Sequence, residues 1–228
     1  MPKSTRAIKV TDKDKAWNRK AQPSKYRIET IPQNKTFLIT CEGQTEELYI
    51  KSFPVLGARV KVINLQGQSK LKLVETTTEL LCNFPEKYDE VWCVFDMDVK
   101  RGEDEFADFD NAIDKAIQNG YKVAYSNDAF ELWFYLHYNH SETQELRTFY
   151  YEELGNKFNI NYIRDGKKYD FCQKIYTLLE KDALACQKKA IQRAKKLFDI
   201  QQHLPYHQRN PVTLVYELVM ELNNNLRR

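Results

Sequence analysis

The stretch that decides the fold is Glu90-Val91-Trp92-Cys93-Val94-Phe95-Asp96-Met97-Asp98. Its apolar part is continuous rather than alternating, which is typical of a central parallel strand covered by helices on both faces. Two carboxylates follow directly. Residues two apart in an extended strand point to the same side, so Asp96 and Asp98 are expected to face one spot. The stretch therefore predicts a buried strand with an acidic site at its carboxyl end.

The segments on either side alternate between strand and helix patterns. Strands are predicted at 36–41, 59–65, 90–95 and 121–125, and helices at 44–52, 69–82 and 104–119. This order favours an α/β fold with a mainly parallel sheet of about four strands flanked by helices. Helical patterns at 128–138, 170–200 and 211–226 then predict a helical C-terminal extension. We divide the chain into a basic leader (1–35), an α/β core (36–140) and an extension packed on the core (141–228).

Composition excludes several classes of protein. Of the 228 residues, 42% are hydrophobic and 13% are aromatic, which indicates a folded chain rather than a disordered one. No apolar run is long enough to span a bilayer and no secretory signal is present, so no membrane contact is expected. Five cysteines without a C-x-x-C pair favour free thiols in a reducing cytoplasm. No P-loop motif is present, so ATP hydrolysis of that type is not expected.

The net charge of +3 conceals two regions of opposite sign. Residues 1–35 carry ten basic and three acidic side chains, whereas the rest of the chain carries 25 basic and 29 acidic ones. A basic leader on a mildly acidic body is the usual layout of an arm that contacts nucleic acid. A soluble tail is the alternative. The basic face of the predicted 170–200 helix likewise indicates either a nucleic-acid contact or simple solvation.

Acidic residues follow the ends of three predicted strands. Glu42 follows the first, Asp96 and Asp98 follow the third, and Glu131 lies shortly after the fourth. Ligands of parallel sheets bind beyond the carboxyl ends of the strands, so these side chains are expected to converge. Two or three carboxylates suffice to hold Mg2+, which can activate water and stabilise a leaving oxygen. Gly43, beside Glu42, would let a phosphate backbone approach closely.

Several of these residues also have purely structural interpretations. Glu46 is a candidate ligand of the same cation as Glu42, but acids in the first turn of a helix also compensate its dipole. Glu131 is a candidate site carboxylate, yet Asp128-x-x-Glu131 has the spacing of a capping box. His137 is either a proton shuttle near Glu131 or a histidine that is hydrogen-bonded beneath aromatic neighbours.

The segment around residue 210 leaves similar alternatives open. Arg209 is either a phosphate clamp or a structural residue. Asn210 is expected to cap a helix that has Pro211 in its first turn. His203 and His207 are not expected to bind zinc, because Pro205 would break the helix that their spacing requires.

Four motifs, in this order, resemble the RloB family over roughly residues 36–220. They are Cys41-Glu42-Gly43-Gln44-Thr45-Glu46, Val94-Phe95-Asp96-x-Asp98, Ser126-Asn127-x-x-Phe130-Glu131-Leu132-Trp133 and Arg209-Asn210-Pro211-x-Thr213. The order of strands and acids also resembles the Toprim domain of topoisomerases, primases and OLD-type nucleases. Asp128 departs from the family pattern, which often has proline after Ser-Asn.

The resemblance implies a Toprim-like nuclease that cleaves RNA, tRNA included, or DNA with Mg2+ or Mn2+. The catalytic residues that it implies are Glu42, Asp96, Asp98 and Glu131. The metal ligands would be Glu42, Glu46, Asp96 and Asp98. Substrate contacts are expected from Gly43, Asn127, Arg209 and Lys100.

The same resemblance implies a biological setting. The family is associated with restriction-modification and phage-defence loci, so a role in antiviral defence by abortive infection is expected. An ABC-type ATPase partner (RloA-like) would control the activity, and the isolated chain is expected to be inactive or weakly active. The alternative is a non-catalytic module that senses a metal or nucleotide and regulates such an ATPase.

Overall fold

A five-stranded sheet organises the computed structural model of this chain, which describes residues 34–84, 86–98 and 103–226. The strands are β1 (Lys35–Cys41), β2 (Ala58–Asn64), β3 (Glu90–Asp96), β4 (Lys122–Asn127) and β5 (Val212–Thr213). Their order is β2-β1-β3-β4-β5. The first four strands are parallel, and β5 pairs antiparallel to β4. The predicted α/β class with a mainly parallel sheet is confirmed.

Strand β3 lies in the middle of the sheet. Its residues Trp92 to Phe95 are all buried, which accounts for the continuous apolar run in the sequence. The Phe95 ring packs edge-on against Phe109, with 5.8 Å between ring centroids. Strand β2, at the edge of the sheet, contains no fully buried residue. The core is therefore densest around β3, directly behind its acidic end.

Three helices follow the first three strands, as predicted. They are α1 (Gln44–Lys51), α2 (Lys70–Asn83) and α3 (Glu103–Gln118). The Ser69 hydroxyl caps α2 by accepting a hydrogen bond from the backbone N–H of Lys72 at 3.3 Å. The buried hydroxyls of Thr77 in α2 and Thr40 in β1 are hydrogen-bonded at 2.8 Å. The threonine pair joins α2 to β1, the strand whose end carries Glu42.

The chain beyond β4 is mainly helical. Its helices are α4 (Glu131–Tyr135), α5 (Arg147–Phe158), α6 (Tyr162–Asp165), α7 (Tyr169–Cys172), α8 (Ile175–Lys181), α9 (Gln187–Gln201) and α10 (Val215–Asn223). A 3₁₀ turn covers Tyr206–Gln208. Within the part of the chain that the structure describes, every helix is too short or too polar to cross a lipid bilayer.

The prediction of one helix over 170–200 is wrong. That segment is divided among three helices, α7, α8 and α9. The chain leaves the helical conformation at Asp182, between α8 and α9. The Asp182 carboxylate accepts hydrogen bonds from the Leu184 backbone N–H and from the Tyr138 hydroxyl, both at 2.9 Å. Aspartate bonds of this kind compete with the helical ladder and favour a turn. The helix predicted at 128–138 is also shorter, since α4 covers five residues.

The helix predicted at 211–226 begins late. Val212 and Thr213 form β5, and the Thr213 hydroxyl is hydrogen-bonded to that of Ser126 at 2.9 Å. Helix α10 begins at Val215, so the prediction that Asn210 caps it is wrong. The segment beyond residue 140 thus supplies a strand to the sheet, and residues from Asn34 onward belong to one compact unit. The division at residue 140 stays a prediction.

All five cysteines are free thiols, as the sequence predicted. Cys41, Cys93 and Cys172 are buried, where a thiol behaves as a small apolar side chain. The basic leader, residues 34 and 35 excepted, lies outside the described residues, as does Lys100.

Candidate acidic active site

The carboxyl ends of β1 and β3 meet at a pocket of about 330 Å³. Its walls include Glu42, Gly43, Glu46, Asp96 and Asp98, together with Arg147 and Lys167. The Asp96 backbone N–H donates a hydrogen bond to Glu42 Oε2 at 3.3 Å, so the ends of the two strands are joined by a site residue. The four predicted metal ligands therefore line one pocket.

Glu46 points into this acidic cluster, whereas its neighbour Glu47 does not share that environment. Glu46 is 5% exposed. Burial raises its pKa to about 7, Lys167 opposes the rise, and Glu131 and Glu42 add to it. Glu47 instead forms an ion pair with Lys51 at 2.5 Å and accepts a hydrogen bond from Asn64 at 3.0 Å. The two acids in the first turn of α1 are thus not equivalent.

Gly43 leaves room for the present position of the Glu46 carboxylate. A Cβ atom at residue 43 would lie 2.5 Å from Glu46 Oε2, which is closer than nonbonded atoms approach. The absence of a side chain at Gly43 therefore leaves the space that the Glu46 carboxylate occupies. From the sequence, Gly43 was expected to serve a different purpose, namely to let a phosphate approach closely.

Asp96 is the most electrostatically crowded carboxylate of the site. Desolvation raises its pKa well above the ordinary value, and Glu46, Glu131 and Glu42 raise it further. Its Oδ1 atom is shielded from solvent and has no hydrogen-bond partner among the described residues. A carboxylate in this state is stabilised either by a proton or by an added cation.

Asp98 lines the pocket, but its backbone does not have the extended conformation that was predicted. Strand β3 ends at Asp96, and Asp98 has a positive φ of 54°, so the extended alternation does not continue. Its Oδ1 lies 2.9 Å from Nη2 of Arg147. Arg147 Nη2 also lies 3.5 Å from Asp128, whose Oδ2 accepts a hydrogen bond from the Arg147 backbone N–H at 3.0 Å. Asp98 is therefore held by an arginine from α5.

Glu131 is completely buried and forms an ion pair with the Lys167 ammonium group. The Tyr162 hydroxyl lies 3.5 Å from the same carboxylate oxygen, and Glu131 Oε2 has no hydrogen-bond partner among the described residues. The capping-box alternative is not found, because Phe130 occupies the N-cap position of α4 and no side chain caps it. The charge of Glu131 raises the pKa values of Asp96 and Glu46. Glu131 therefore lies beside the pocket that these two residues line.

Sequence reasoning missed the two cations of the pocket, Arg147 and Lys167. Both come from the segment that follows β4, and neither lies in a motif. Lys167 stands next to Lys168, which pairs with Asp165 at the surface. Nothing in the sequence distinguishes these two lysines, since only the folded chain brings one of them to Glu131.

Two predicted substrate contacts have other partners. The Asn127 amide donates a hydrogen bond to the His207 carbonyl oxygen at 3.0 Å. Arg209 donates to the carbonyl oxygens of Leu204 at 2.7 Å and Gln202 at 2.8 Å, and it stacks on Tyr206. Neither Asn127 nor Arg209 is among the residues that line the acidic pocket.

Replacing Arg209 with alanine is therefore expected to lower stability rather than nucleic-acid affinity. The loss of charged hydrogen bonds to two carbonyl oxygens should reduce the free energy of unfolding by about 1–2 kcal/mol, because the guanidinium is only part-buried. Urea denaturation measures this change. Unchanged stability combined with weaker oligonucleotide binding would restore the phosphate-clamp interpretation.

The candidate metal ligands of the pocket are of the chemical type that a hard divalent cation prefers. All the candidate ligands are carboxylate oxygens, and Asp96 Oδ1 and Glu131 Oε2 are shielded and unpaired. Across the described ranges, however, no three His, Cys, Asp or Glu side chains are grouped closely enough to hold a metal ion. Mg2+ keeps several waters and needs only one or two carboxylates, so Asp96 and Glu42 fit as its protein ligands.

Lys167 is expected to stabilise the fold through Glu131. Lys167→Met would leave a buried carboxylate without its cation, at a cost of about 1–2 kcal/mol. This cost is below the ~3–5 kcal/mol that is typical of breaking a fully buried ion pair, since the Lys167 side chain is 42% exposed. Chemical denaturation should show this loss, with little change for Lys168→Met. If adding Glu131→Gln to Lys167→Met does not recover stability, the ion pair is not the cause.

Fold and site together define an α/β protein with an acidic pocket at the carboxyl edge of a parallel sheet. The family described as RloB-like protein matches residues 37–222. The chain therefore belongs to the RloB-like family. No curated protein and no solved structure is significantly similar to it.

Proposed function

We propose that this protein is a metal-dependent nuclease that hydrolyses phosphodiester bonds of RNA, tRNA included, or DNA. The observation that carries the proposal is the crowding of carboxylates in the pocket. Burial and mutual repulsion raise the pKa values of Asp96 and Glu46, and Asp96 has an unpaired, shielded oxygen. Strongly perturbed carboxylates in a pocket are typical of catalytic sites.

The residues of the pocket have distinct roles in this proposal. Asp96 and Glu42 would hold Mg2+ or Mn2+, and the ion would supply charge stabilisation and an activated water. Glu46, with a pKa of about 7, is suited to accept or release a proton at neutral pH. Lys167 and Arg147 supply positive charge beside the carboxylates, where a phosphate group would lie.

The biological setting is part of the same proposal. We infer a role in phage defence, in the cytoplasm and under the control of an ABC-type ATPase, from the resemblance to the RloB family. Free cysteines, three of them buried, are consistent with a reducing compartment. A nuclease that harms its own cell has to be restrained, so the partner is expected to release the activity.

The decisive experiment is a cleavage assay on the purified chain. Labelled tRNA, single-stranded DNA and duplex DNA are each incubated with Mn2+, with Mg2+ or with EDTA, in the presence and absence of the proposed ABC-type ATPase partner. The proposal predicts products only where a divalent metal is present. Equal cleavage in EDTA would contradict it, as would intact substrate under every condition.

A non-catalytic sensor that regulates an ATPase is the second candidate. It is favoured by one observation, the Lys167 ammonium group that already neutralises Glu131 within the acidic cluster. This candidate predicts complex formation with the ATPase and no hydrolysis with any divalent metal. Retained partner binding in a cleavage-negative wild-type chain would support it.

A further inference from the structure

A second cavity, of about 400 Å³, lies between α1, the end of α4, the α8–α9 connection and α10. Its polar walls include Tyr49, His137, Tyr176, Gln187 and Asn223. None of the residues that line it belongs to the acidic pocket. Its volume lies within the range of small-molecule sites. This cavity is therefore separate from the proposed nuclease site.

His137 provides an unused hydrogen-bond acceptor in the wall of the cavity. The side chain is 3% exposed, and its Nδ1 lies 3.0 Å from the Trp133 carbonyl oxygen. A carbonyl oxygen only accepts, so Nδ1 carries the proton. Burial lowers the pKa of His137 to about 4, which keeps the ring neutral at pH 7. Nε2 is then an acceptor, and the described residues offer it no donor.

Tyr49 adds a hydroxyl group to the same wall. Its oxygen accepts a hydrogen bond from Trp133 Nε1 at 2.8 Å, and Gln187 also acts on it through a side-chain hydrogen bond. The Tyr49 and Tyr176 rings lie 5.9 Å apart and supply aromatic surface. A buried polar group without a partner is unfavourable, and a ligand that supplies the matching group removes that cost.

Two amides extend this polar wall. The Asn223 side-chain N–H donates to Gln187 Oε1 at 2.8 Å, which leaves the Asn223 amide oxygen as a further acceptor. Leu179, Ala185 and Leu226 make up the apolar part of the lining, and Glu180 and Lys188 lie at its exposed side. The opposite charges of these two residues give the entrance no strong preference for an anion or a cation.

We propose that this cavity binds a nucleobase, as part of a nucleoside or nucleotide. A nucleobase is a flat ring that carries adjacent N–H donors and ring-nitrogen or carbonyl acceptors on one edge. Such an edge matches the acceptor on His137 and the side-chain amides of Gln187 and Asn223, because asparagine and glutamine amides pair with bases in this way. The flat ring suits the tyrosine surfaces. This site goes beyond the proposed nuclease function and does not depend on it.

Calorimetric titration of the full chain with the four common ribonucleosides and their monophosphates tests the proposal. EDTA is present so that metal at the acidic pocket does not contribute. At least one base is expected to bind saturably with a Kd below about 1 mM. His137→Phe, which keeps the ring and removes the acceptor, should weaken binding about tenfold or more.

Two further variants locate the ligand. Ala185→Trp fills a half-buried position in the wall and should abolish binding, while Asp96→Asn should leave it unchanged. His140→Phe is the matched control, because His140 is near the surface and does not line the cavity. The proposal is overturned if no base binds, if Ala185→Trp binds normally, or if Asp96→Asn removes binding.

Discussion

Asp96→Asn is expected to lower nucleic-acid cleavage about 100-fold or more while leaving the fold intact. A metal ion supplies several kcal/mol of transition-state stabilisation, and 100-fold corresponds to about 2.7 kcal/mol. Asparagine keeps the size of the side chain but removes the negative charge that would hold the cation. Single-turnover cleavage with Mn2+, with the ATPase present if it proves necessary, measures the effect.

This variant should also be at least as stable as the wild type. The pKa of Asp96 is raised well above its ordinary value, so the folded chain carries its charge at a cost. Glu47→Gln is the matched control, because Glu47 lies next to Glu46 but pairs with Lys51 and Asn64. Cleavage by Asp96→Asn at the wild-type rate would show that this carboxylate is not catalytic.

The second large effect is a loss of stability as pH rises, caused by Glu46. Its pKa is about 7 in the folded chain, against an ordinary value of 4.5. Between pH 4.5 and pH 7 the folded state binds more protons than the unfolded state. The contribution of Glu46 to stability is therefore fully present below pH 4.5 and is lost as the pH rises through 7. From pH 5 to pH 8.5 this group should remove between about 2 and 3 kcal/mol.

The measurement compares the wild type with Glu46→Gln by urea denaturation across that range, in EDTA. His137 works in the opposite sense below pH 6.5, because its pKa is lowered to about 4 in the fold. That contribution is common to both chains, so the difference between them reports Glu46 together with its effect on the neighbouring Asp96. Parallel pH profiles for the two chains would mean that Glu46 is not perturbed as the structure indicates.

The sequence predicted the acidic positions because they depend on topology rather than on detailed packing. Strand ends in a parallel sheet meet at one edge, so Glu42 and Asp96 converge once their strands are assigned. The continuous apolar run of β3 made that assignment direct. Glu46 could be placed on the correct helix, but the difference between Glu46 and Glu47 depends on which side of α1 faces the pocket.

The parts that could not be predicted depend on contacts between distant segments. Lys167 and Arg147 reach the site from helices and turns that have no periodic signal of their own. The break at Asp182 depends on a hydrogen bond from Tyr138, 44 positions earlier in the chain. Strand β5 is two residues long, too short for any alternation to be visible, and a helix was predicted in its place.

Strand β5 also has a consequence for synthesis of the protein. Ser126 and Asn127, at the end of β4, pair with Thr213 and Val212, and the bonded Ser126 and Thr213 hydroxyls are 87 positions apart. Domains fold as units as they emerge from the ribosome, and long-range pairings form late. A nascent chain therefore carries an open β4 edge until the segment around residue 213 has left the ribosome. The sheet is completed only after the whole segment between β4 and β5 has been made.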